Sequence, residues 1–213
     1  VGVGTALWSW SDSFHFACQP ITGDATVTVR LVSYENLQTY TKSGIMFRES
    51  LDANAMNAFC GLRGSSSVTF QRRTVTAGGT SETRQSGGAP RWLRLVRSGD
   101  DFSAYHSADG ATWTQVGATA TIAMSDTVYV GLAVSAGNAD AMVPVLFDSI
   151  DGLDTTPPAN EPPTADAGED RTVTDEDDTG DEPVTLDGSG STDGDGAIVA
   201  YAWTEGLVPL GSA

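Results

Sequence analysis

Seven aromatic and planar polar residues in this sequence could together bind a sugar. A pyranose ring has an apolar face that stacks on aromatic side chains and a hydroxyl rim that pairs with planar hydrogen-bonding groups. The aromatic candidates are Trp8, Trp10 and Tyr40, and the polar candidates are Arg48, Gln71, Arg73 and Arg94. The alternative is that these arginines pair with Glu49, Asp148 or backbone carbonyls inside the domain. Both interpretations remain open at the level of sequence.

A second candidate site is the oxygen-rich segment at residues 187–196. Its Asp, Gly and Ser residues are typical of calcium-binding loops, in which short carboxylates supply oxygen ligands. An EF-hand is excluded, because the required Glu is absent twelve positions along from either Asp187 or Asp193. The candidate ligands are Asp166, Asp187, Asp193 and Asp195. A plain turn is the competing interpretation of the same residues.

The residue types needed for catalysis do not cluster. The two histidines, His15 and His106, lie near neither a GxSxG elbow nor a nucleophilic cysteine, and phosphate-binding or dinucleotide-binding fingerprints are absent. The acidic string at 176–181 lacks the apolar alternation of a strand that could align carboxylates. The glutamates of the first 154 residues are scattered at Glu35, Glu49 and Glu82. We therefore expect no enzymatic activity from these residues, and no cofactor except a candidate calcium ion.

The charge of the chain is strongly negative and unevenly spread. The net charge is -17, and residues 155–213 contribute 14 acidic residues against Arg171 alone. Residues 1–154 carry 14 acidic and ten basic residues. Such a surface repels nucleic-acid backbones, anionic membranes and other polyanions. No apolar run reaches the roughly 20 residues of a membrane span, so we expect neither nucleic-acid binding nor membrane insertion.

The sequence contains two cysteines, Cys18 and Cys60. They could form one disulfide, or they could remain free thiols, which are common in buried strands. The absence of a CxxC pair gives no support for a zinc ribbon or a thioredoxin-like site.

The pattern of residues 1–154 predicts an all-β domain. Apolar and β-branched runs alternate with Gly-rich and Asp-rich turns at the spacing of an antiparallel sandwich or jelly roll. Alternation places Val27 and Val29 on one strand face, and Phe70 and Gln71 on opposite faces. The prolines of residues 155–163 predict a semi-rigid linker. In the remainder, strands are expected at 171–174, 184–187 and 198–204.

Residues 164–213, with the prolines just before them, resemble a PKD domain. The resemblance lies in PPTADAG at 162–168, VTLDGSGSTD at 184–193 and YAW at 201–203. It implies a partial immunoglobulin-like β-sandwich that serves as a spacer or adhesion module. The closing strands of that family have no counterpart here, so we expect an incomplete domain.

Residues 1–154 resemble the bacterial concanavalin A-like jelly rolls of the DUF1349 kind. The matching strings are DSFHF at 12–16, KSGIMFRES at 42–50, FQRR at 70–73, WLRLVR at 92–97, YHSADGATW at 105–113 and FDSI at 147–150. The family's first strand has no counterpart, so we expect a piece of a longer protein. Glucan-cleaving relatives of this fold use an ExDxxE strand, which residues 1–154 lack.

These resemblances imply a function outside the cell. Such jelly rolls are often attached to secreted carbohydrate-active enzymes, so we expect a non-catalytic carbohydrate-binding or accessory module of a secreted or cell-surface polysaccharide-acting protein. Its expected partners are a polysaccharide or glycan and further domains of the same polypeptide. The alternative is a structural or adhesive surface module that binds no sugar.

Overall fold

The structure is a computed structural model that describes residues 4, 6–35, 38–138, 142–154, 160–174, 176, 179–180, 183–205 and 208–212. The chain divides into two compact units, Val1–Thr155 and Thr156–Ala213, and each is described by itself. Residues 155–159 of the predicted linker lie outside the described part. None of the described residues is helical, and the predicted all-β fold class is confirmed. No helix in the described ranges has the length and apolar character needed to cross a membrane.

The first unit consists of antiparallel strands joined by turns. In chain order the strands are β1 (Ala6–Trp8), β2 (Ser11–Ser13), β3 (His15–Thr22), β4 (Ala25–Tyr34), β5 (Lys42–Arg48), β6 (Asn57–Arg63), β7 (Ser67–Arg73), β8 (Ser81–Ser86), β9 (Arg91–Ser98), β10 (Asp101–Ser107), β11 (Thr114–Gln115), β12 (Ala120–Thr121), β13 (Thr127–Ser135) and β14 (Val145–Asp151).

Two six-stranded sheets form a sandwich. Sheet A has the order β3-β13-β5-β6-β7-β8, and sheet B has the order β11-β10-β9-β4-β14, with β12 also paired to β10. All of these pairings are antiparallel. Strand β13 lies between β3 and β5, so residues far apart in sequence become neighbours in sheet A. Strands β1 and β2 form a separate hairpin.

The main core lies between the two sheets. Alternating residues of β4 and β9 face it, and residues of β5, β6 and β7 face it from sheet A. Its fully buried members include Val27, Val29, Leu31, Ile45, Phe47, Leu62, Val68, Phe70, Leu93, Leu95 and Phe102. The predicted faces of Val27, Val29 and Phe70 are confirmed.

Sheet A is also covered on its outer face, the face turned away from sheet B. Leu7 of the β1–β2 hairpin forms a second buried cluster there with Met46, Phe59 and Ala133. As a result, all seven residues of β5 are buried, including the polar ones. Side chains that alternation assigns to a solvent-facing surface therefore lie in a second interior.

The second unit has little described strand structure. A ladder joins β15 (Ala202–Glu205) to β16 (Val208–Ser212), and an isolated bridge joins Thr164 to Thr192. The strands predicted at 171–174 and 184–187 are wrong, because these residues are exposed and form no ladder with any other described residues. The strand predicted at 198–204 begins only at Ala202. The PKD resemblance stays a prediction.

Candidate functional site

An acidic residue of the N-terminal hairpin is buried against two arginines of sheet A. Asp12 Oδ2 lies 2.7 Å from Arg48 Nη1 and 2.6 Å from Arg73 Nη1, and Asp12 Oδ1 lies 2.8 Å from Arg73 Nη2. Asn57 Nδ2 donates a further, longer bond of 3.4 Å to the same carboxylate. Arg48, Asn57 and Arg73 are neighbours in register across β5, β6 and β7, so one carboxylate reaches all three.

This cluster contains two of the predicted sugar-binding residues, Arg48 and Arg73. The side chains of Arg48 and Arg73 are 1% and 0% exposed, and their remaining donors bind backbone carbonyls such as those of Asp52 and Ser9. They are internal ion-paired groups, which is the alternative interpretation of these arginines. Their partner is Asp12 rather than Glu49 or Asp148. Arg48 also lines a cavity of about 250 Å³ with Asp12 and Phe14.

The two acids proposed as partners in that alternative have other contacts. Glu49 accepts hydrogen bonds from the backbone N–H and the hydroxyl of Ser125. Asp148 pairs with Arg30 at 3.3 Å on sheet B, where both side chains are more than a third exposed.

Lys42, the first residue of β5, lies under the same hairpin and is 4% exposed. Its Nζ donates to the backbone oxygen of Leu7 at 2.9 Å and to Oε1 of Gln71. Burial, with a smaller contribution from the positive charge of Arg63, lowers the pKa of Lys42 from 10.5 to about 8 against the opposing effect of Glu82. This ammonium group is therefore poorly solvated.

A cavity of about 380 Å³ opens beside Lys42. Its lining comprises Ala6, Leu7, Trp8, Tyr40, Lys42, Arg63, Glu82 and Gly137. The Trp8 and Tyr40 residues are 41% and 62% exposed, so aromatic surface faces solvent at this position. The Nζ of Lys42 lies 4.6 Å from the centroid of the Trp8 ring, and the guanidinium of Arg63 lies 5.2 Å from that of Tyr40.

The backbone at Gly137 sets the position of Tyr40. Gly137 has a φ of +73°, in the left-handed region that favours glycine. A Cβ at this position would lie 2.7 Å from the carbonyl carbon of Tyr40 and 2.9 Å from its Cβ. Only glycine at position 137 allows its backbone to approach Tyr40 this closely, so the position of the Tyr40 ring in the cavity lining depends on Gly137.

Gln71 is fully buried next to the cavity residues. Its cross-strand neighbours in β6 and β8 are Phe59 and Glu82. Because its Oε1 accepts from Lys42, its Nε2 points elsewhere, and this nitrogen has no hydrogen-bond partner among the described residues. Glu82 lines the cavity and is held by Thr69 Oγ1 and by Arg84, each at 3.3 Å.

The predicted sugar-binding residues thus fall into three groups. Trp8, Tyr40 and Gln71 come together at or beside the cavity. Trp10 lies in the turn between β1 and β2, is 67% exposed and is not part of the lining. Arg94 lies on sheet B, where it stacks 3.9 Å from the Trp113 ring centroid and donates to the hydroxyl of Thr28.

Sequence reasoning missed three charged residues of the cavity, namely Lys42, Arg63 and Glu82. One signal was present, because Lys42 is the only lysine among the 213 residues. A single lysine at the start of an apolar strand, on the same face as Arg48, marks an unusual position.

The predicted calcium ligands of the second unit contact backbone N–H groups in turns. Asp166, Asp187 and Asp193 each accept from the N–H two residues further along, and Asp195 accepts from Glu161 N–H. These backbone bonds lower the pKa of Asp187. Asp166 and Asp187 line one cavity of about 470 Å³, which Asp193 and Asp195 do not line. Within the described ranges, no three His, Cys, Asp or Glu residues are grouped to hold a metal ion, and calcium binding stays a prediction.

The histidines and cysteines differ in exposure and in contacts. His15 is exposed, as alternation predicts, whereas the His106 ring contacts Gln85 Oε1 at 3.0 Å. Cys18 is exposed and Cys60 is buried, and both are free thiols. In the acidic string at 176–181, residues 177, 178 and 181 lie outside the described part.

No family model and no curated protein matches this chain. Among solved structures, a functionally unknown protein from Saccharomyces cerevisiae is similar with 24% sequence identity and a TM-score of 0.55, over 70% of this chain and 82% of that chain. A GH43 protein from Bacillus licheniformis is similar with 16% identity and a TM-score of 0.50, over 58% of this chain and 26% of that chain. At these identities, the comparisons show a shared all-β fold.

Proposed function

We propose that the first unit is a non-catalytic carbohydrate-binding module of a secreted or cell-surface polysaccharide-acting protein. The observation that carries this function is the cavity in which the exposed rings of Trp8 and Tyr40 stand beside Lys42 and Glu82. Ring faces suit the C–H face of a sugar, and the charged groups suit its hydroxyl rim. The volume of about 380 Å³ lies within the usual range of small-ligand sites.

The lining of the cavity supports binding without catalysis. Glu82 is the one carboxylate among the described lining residues. Glycoside hydrolysis generally requires two carboxyl groups, about 5 to 10 Å apart, on either side of the bond. A single carboxylate that Arg84 and Thr69 already contact is suited to accepting hydrogen bonds from sugar hydroxyls.

The fold comparison supports the accessory role. The similar GH43 protein is a carbohydrate-active protein by its name, and the similarity covers 26% of its length. We therefore infer that the present unit works beside further domains that act on a polysaccharide, outside the cell.

Affinity gel electrophoresis with soluble plant, algal and fungal polysaccharides tests the proposal. Retardation of the wild-type protein by at least one polysaccharide, lost in Trp8→Ala and in Tyr40→Ala, is expected. Leu146→Ala is the matched control. Leu146 is 56% exposed on sheet B, so this substitution also removes exposed apolar surface, but away from the cavity. Mobility unaffected by every polysaccharide would reject sugar binding.

A structural or adhesive module is the second candidate function. It is favoured by the burial of Arg48 and Arg73, which are used to hold the hairpin rather than to meet a ligand. In that case the Trp8→Ala protein would behave like the wild type in every binding assay.

A further inference from the structure

We propose that the cavity selects acidic sugars, whose rings carry a carboxylate or sulfate group, over neutral ones. The inference rests on the proposed carbohydrate binding and names the ligand class of that same site. It follows from the charges that line the cavity and from the groups that already contact them.

Two cations of the lining form no ion pair with any described residue. Neither Lys42 nor Arg63 lies within 4 Å of a carboxylate oxygen among the described residues. Arg48, Arg73 and Arg84 by contrast all form ion pairs. A buried or half-buried cation without a counterion is costly, so the cavity gains most from a ligand that brings a negative charge.

The aromatic contacts of these two cations do not neutralise their positive charge. Lys42 lies over the Trp8 ring and Arg63 over the Tyr40 ring. A ring quadrupole attracts a cation but carries no net charge. The same arrangement places both cations next to the two surfaces on which a sugar ring would stack, where a ring substituent could reach them.

The one acid of the lining is already compensated. Glu82 lies 3.3 Å from Arg84 Nε and accepts from the hydroxyl of Thr69. Glu82 is therefore shared with Arg84, and the lining holds two cations, Lys42 and Arg63, against this one carboxylate. In the neighbouring strand, the Nε2 of Gln71 is a buried donor without an acceptor among the described residues.

The acidity of the surface as a whole does not oppose a short acidic ligand. At physiological ionic strength, charges more than about 8 Å apart are largely screened. An oligosaccharide in the cavity meets Lys42 and Arg63 first, whereas a long polyanion also meets other parts of a chain whose net charge is -17. The ligands for the test are therefore trisaccharides.

Isothermal titration calorimetry at 0.15 M salt tests the selectivity. The probes are trigalacturonate, a singly sulfated galactotriose and neutral galactotriose. We expect one or both acidic probes to bind about tenfold or more tightly than the neutral probe, because a charge-assisted hydrogen bond replaces a neutral one. The two acidic probes separate carboxylate recognition from sulfate recognition.

Two variants remove the positive excess in different ways. Gln71→Glu gives Lys42 a carboxylate partner with almost no change of shape, and Arg63→Gln removes the second cation. Each is expected to lower the ratio of acidic to neutral affinity, measured on the same variant, several-fold. Gln19→Glu and Arg30→Gln change the net charge equally, on β3 and on sheet B, and should leave the preference unchanged.

Three outcomes separate the two proposals. Binding of neutral galactotriose as tight as that of both acidic probes overturns the acidic preference and leaves carbohydrate binding intact. A preference that persists in both Gln71→Glu and Arg63→Gln also overturns it. Absence of binding to every probe and to every polysaccharide in the electrophoresis rejects carbohydrate binding itself.

Discussion

Asp12 and Arg73 form a bidentate ion pair, with distances of 2.6 and 2.8 Å, in which neither side chain is exposed. The pair joins the N-terminal hairpin to β7, 61 residues further along the chain. Since Arg48 binds the same carboxylate, removal of one acid would leave two buried guanidinium groups without a counterion.

Replacement of Asp12 by Asn should therefore destabilise the first unit strongly. Loss of one partner from a buried ion pair costs roughly 3 to 5 kcal/mol. Urea denaturation followed by tryptophan fluorescence measures the change. Asp148→Asn breaks the partly exposed pair with Arg30 instead, and should cost at most about 1 kcal/mol. Equal losses in the two variants would contradict the role of Asp12.

Gly137→Ala should damage both stability and sugar binding. A left-handed backbone costs a non-glycine residue about 1 to 2 kcal/mol, and the new Cβ would also collide with Tyr40. Gly23→Ala is the matched control, because Gly23 has a φ of +78° but no atom within 4 Å of the added Cβ. The loss of stability should be larger in Gly137→Ala, and binding should fall only in that variant.

The stability of the first unit should rise with pH in the range where Lys42 loses its proton. The pKa of Lys42 is about 8 in the folded protein and 10.5 as its ordinary value. Burial is the main cause; Arg63 and Arg84 lower the pKa further, and Glu82 and Asp12 raise it. Between pH 8 and 10.5 the unfolded chain holds a proton that the folded protein lacks, so the free energy of unfolding increases with pH.

Comparison with Lys42→Met isolates this effect from other groups that titrate in the same range. Urea denaturation at a series of pH values from 7 to 10.5 should give a difference in free energy of unfolding, wild type minus variant, that grows with pH. Parallel curves would show that Lys42 keeps an ordinary pKa.

The two cysteines should differ in reactivity. Cys18 is exposed, whereas Cys60 is buried with Sγ 3.5 Å from the backbone oxygen of Tyr105, and burial raises the pKa of Cys60 to about 12. A thiol reagent such as Ellman's should modify one thiol in the folded protein at pH 8 and two after unfolding in denaturant. In Cys18→Ser, the reagent should modify no thiol in the folded protein and one after unfolding. Detection of no thiol in unfolded wild-type protein would indicate a disulfide.

Alternation along the strands was enough to predict the faces of the main core. Val27, Val29 and Phe70 follow a period of two between turn residues, and each lies between the sheets. The apolar pattern failed for β8, whose sequence SETRQS contains no apolar residue. That strand lies at the edge of sheet A and forms through backbone pairing with β7, which leaves no trace in hydrophobicity.

The candidate site was only partly predictable for a different reason. Alternation correctly places Arg48 and Gln71 on the face of sheet A opposite to the core, and such a face normally meets solvent. The hairpin that covers it comes from residues 6–13, and its contacts with β5 and β7 are long-range. Local sequence patterns do not predict long-range contacts. Asp12 was therefore not predicted as the partner of the arginines, and Lys42 was not predicted as a cavity residue.

Because the chain has a single lysine, one amine-directed label can be placed on the side chain of Lys42, beside the cavity. Reductive methylation with ¹³C-formaldehyde labels amines, and Lys42 supplies the one side-chain amine of the 213 residues. Its lowered pKa leaves a larger neutral, nucleophilic fraction near pH 7.5 than an ordinary lysine has. The ¹³C-methyl groups on Lys42 would lie beside Trp8, whose ring current affects their NMR chemical shifts. A ligand that enters the cavity and moves either side chain would therefore change these shifts.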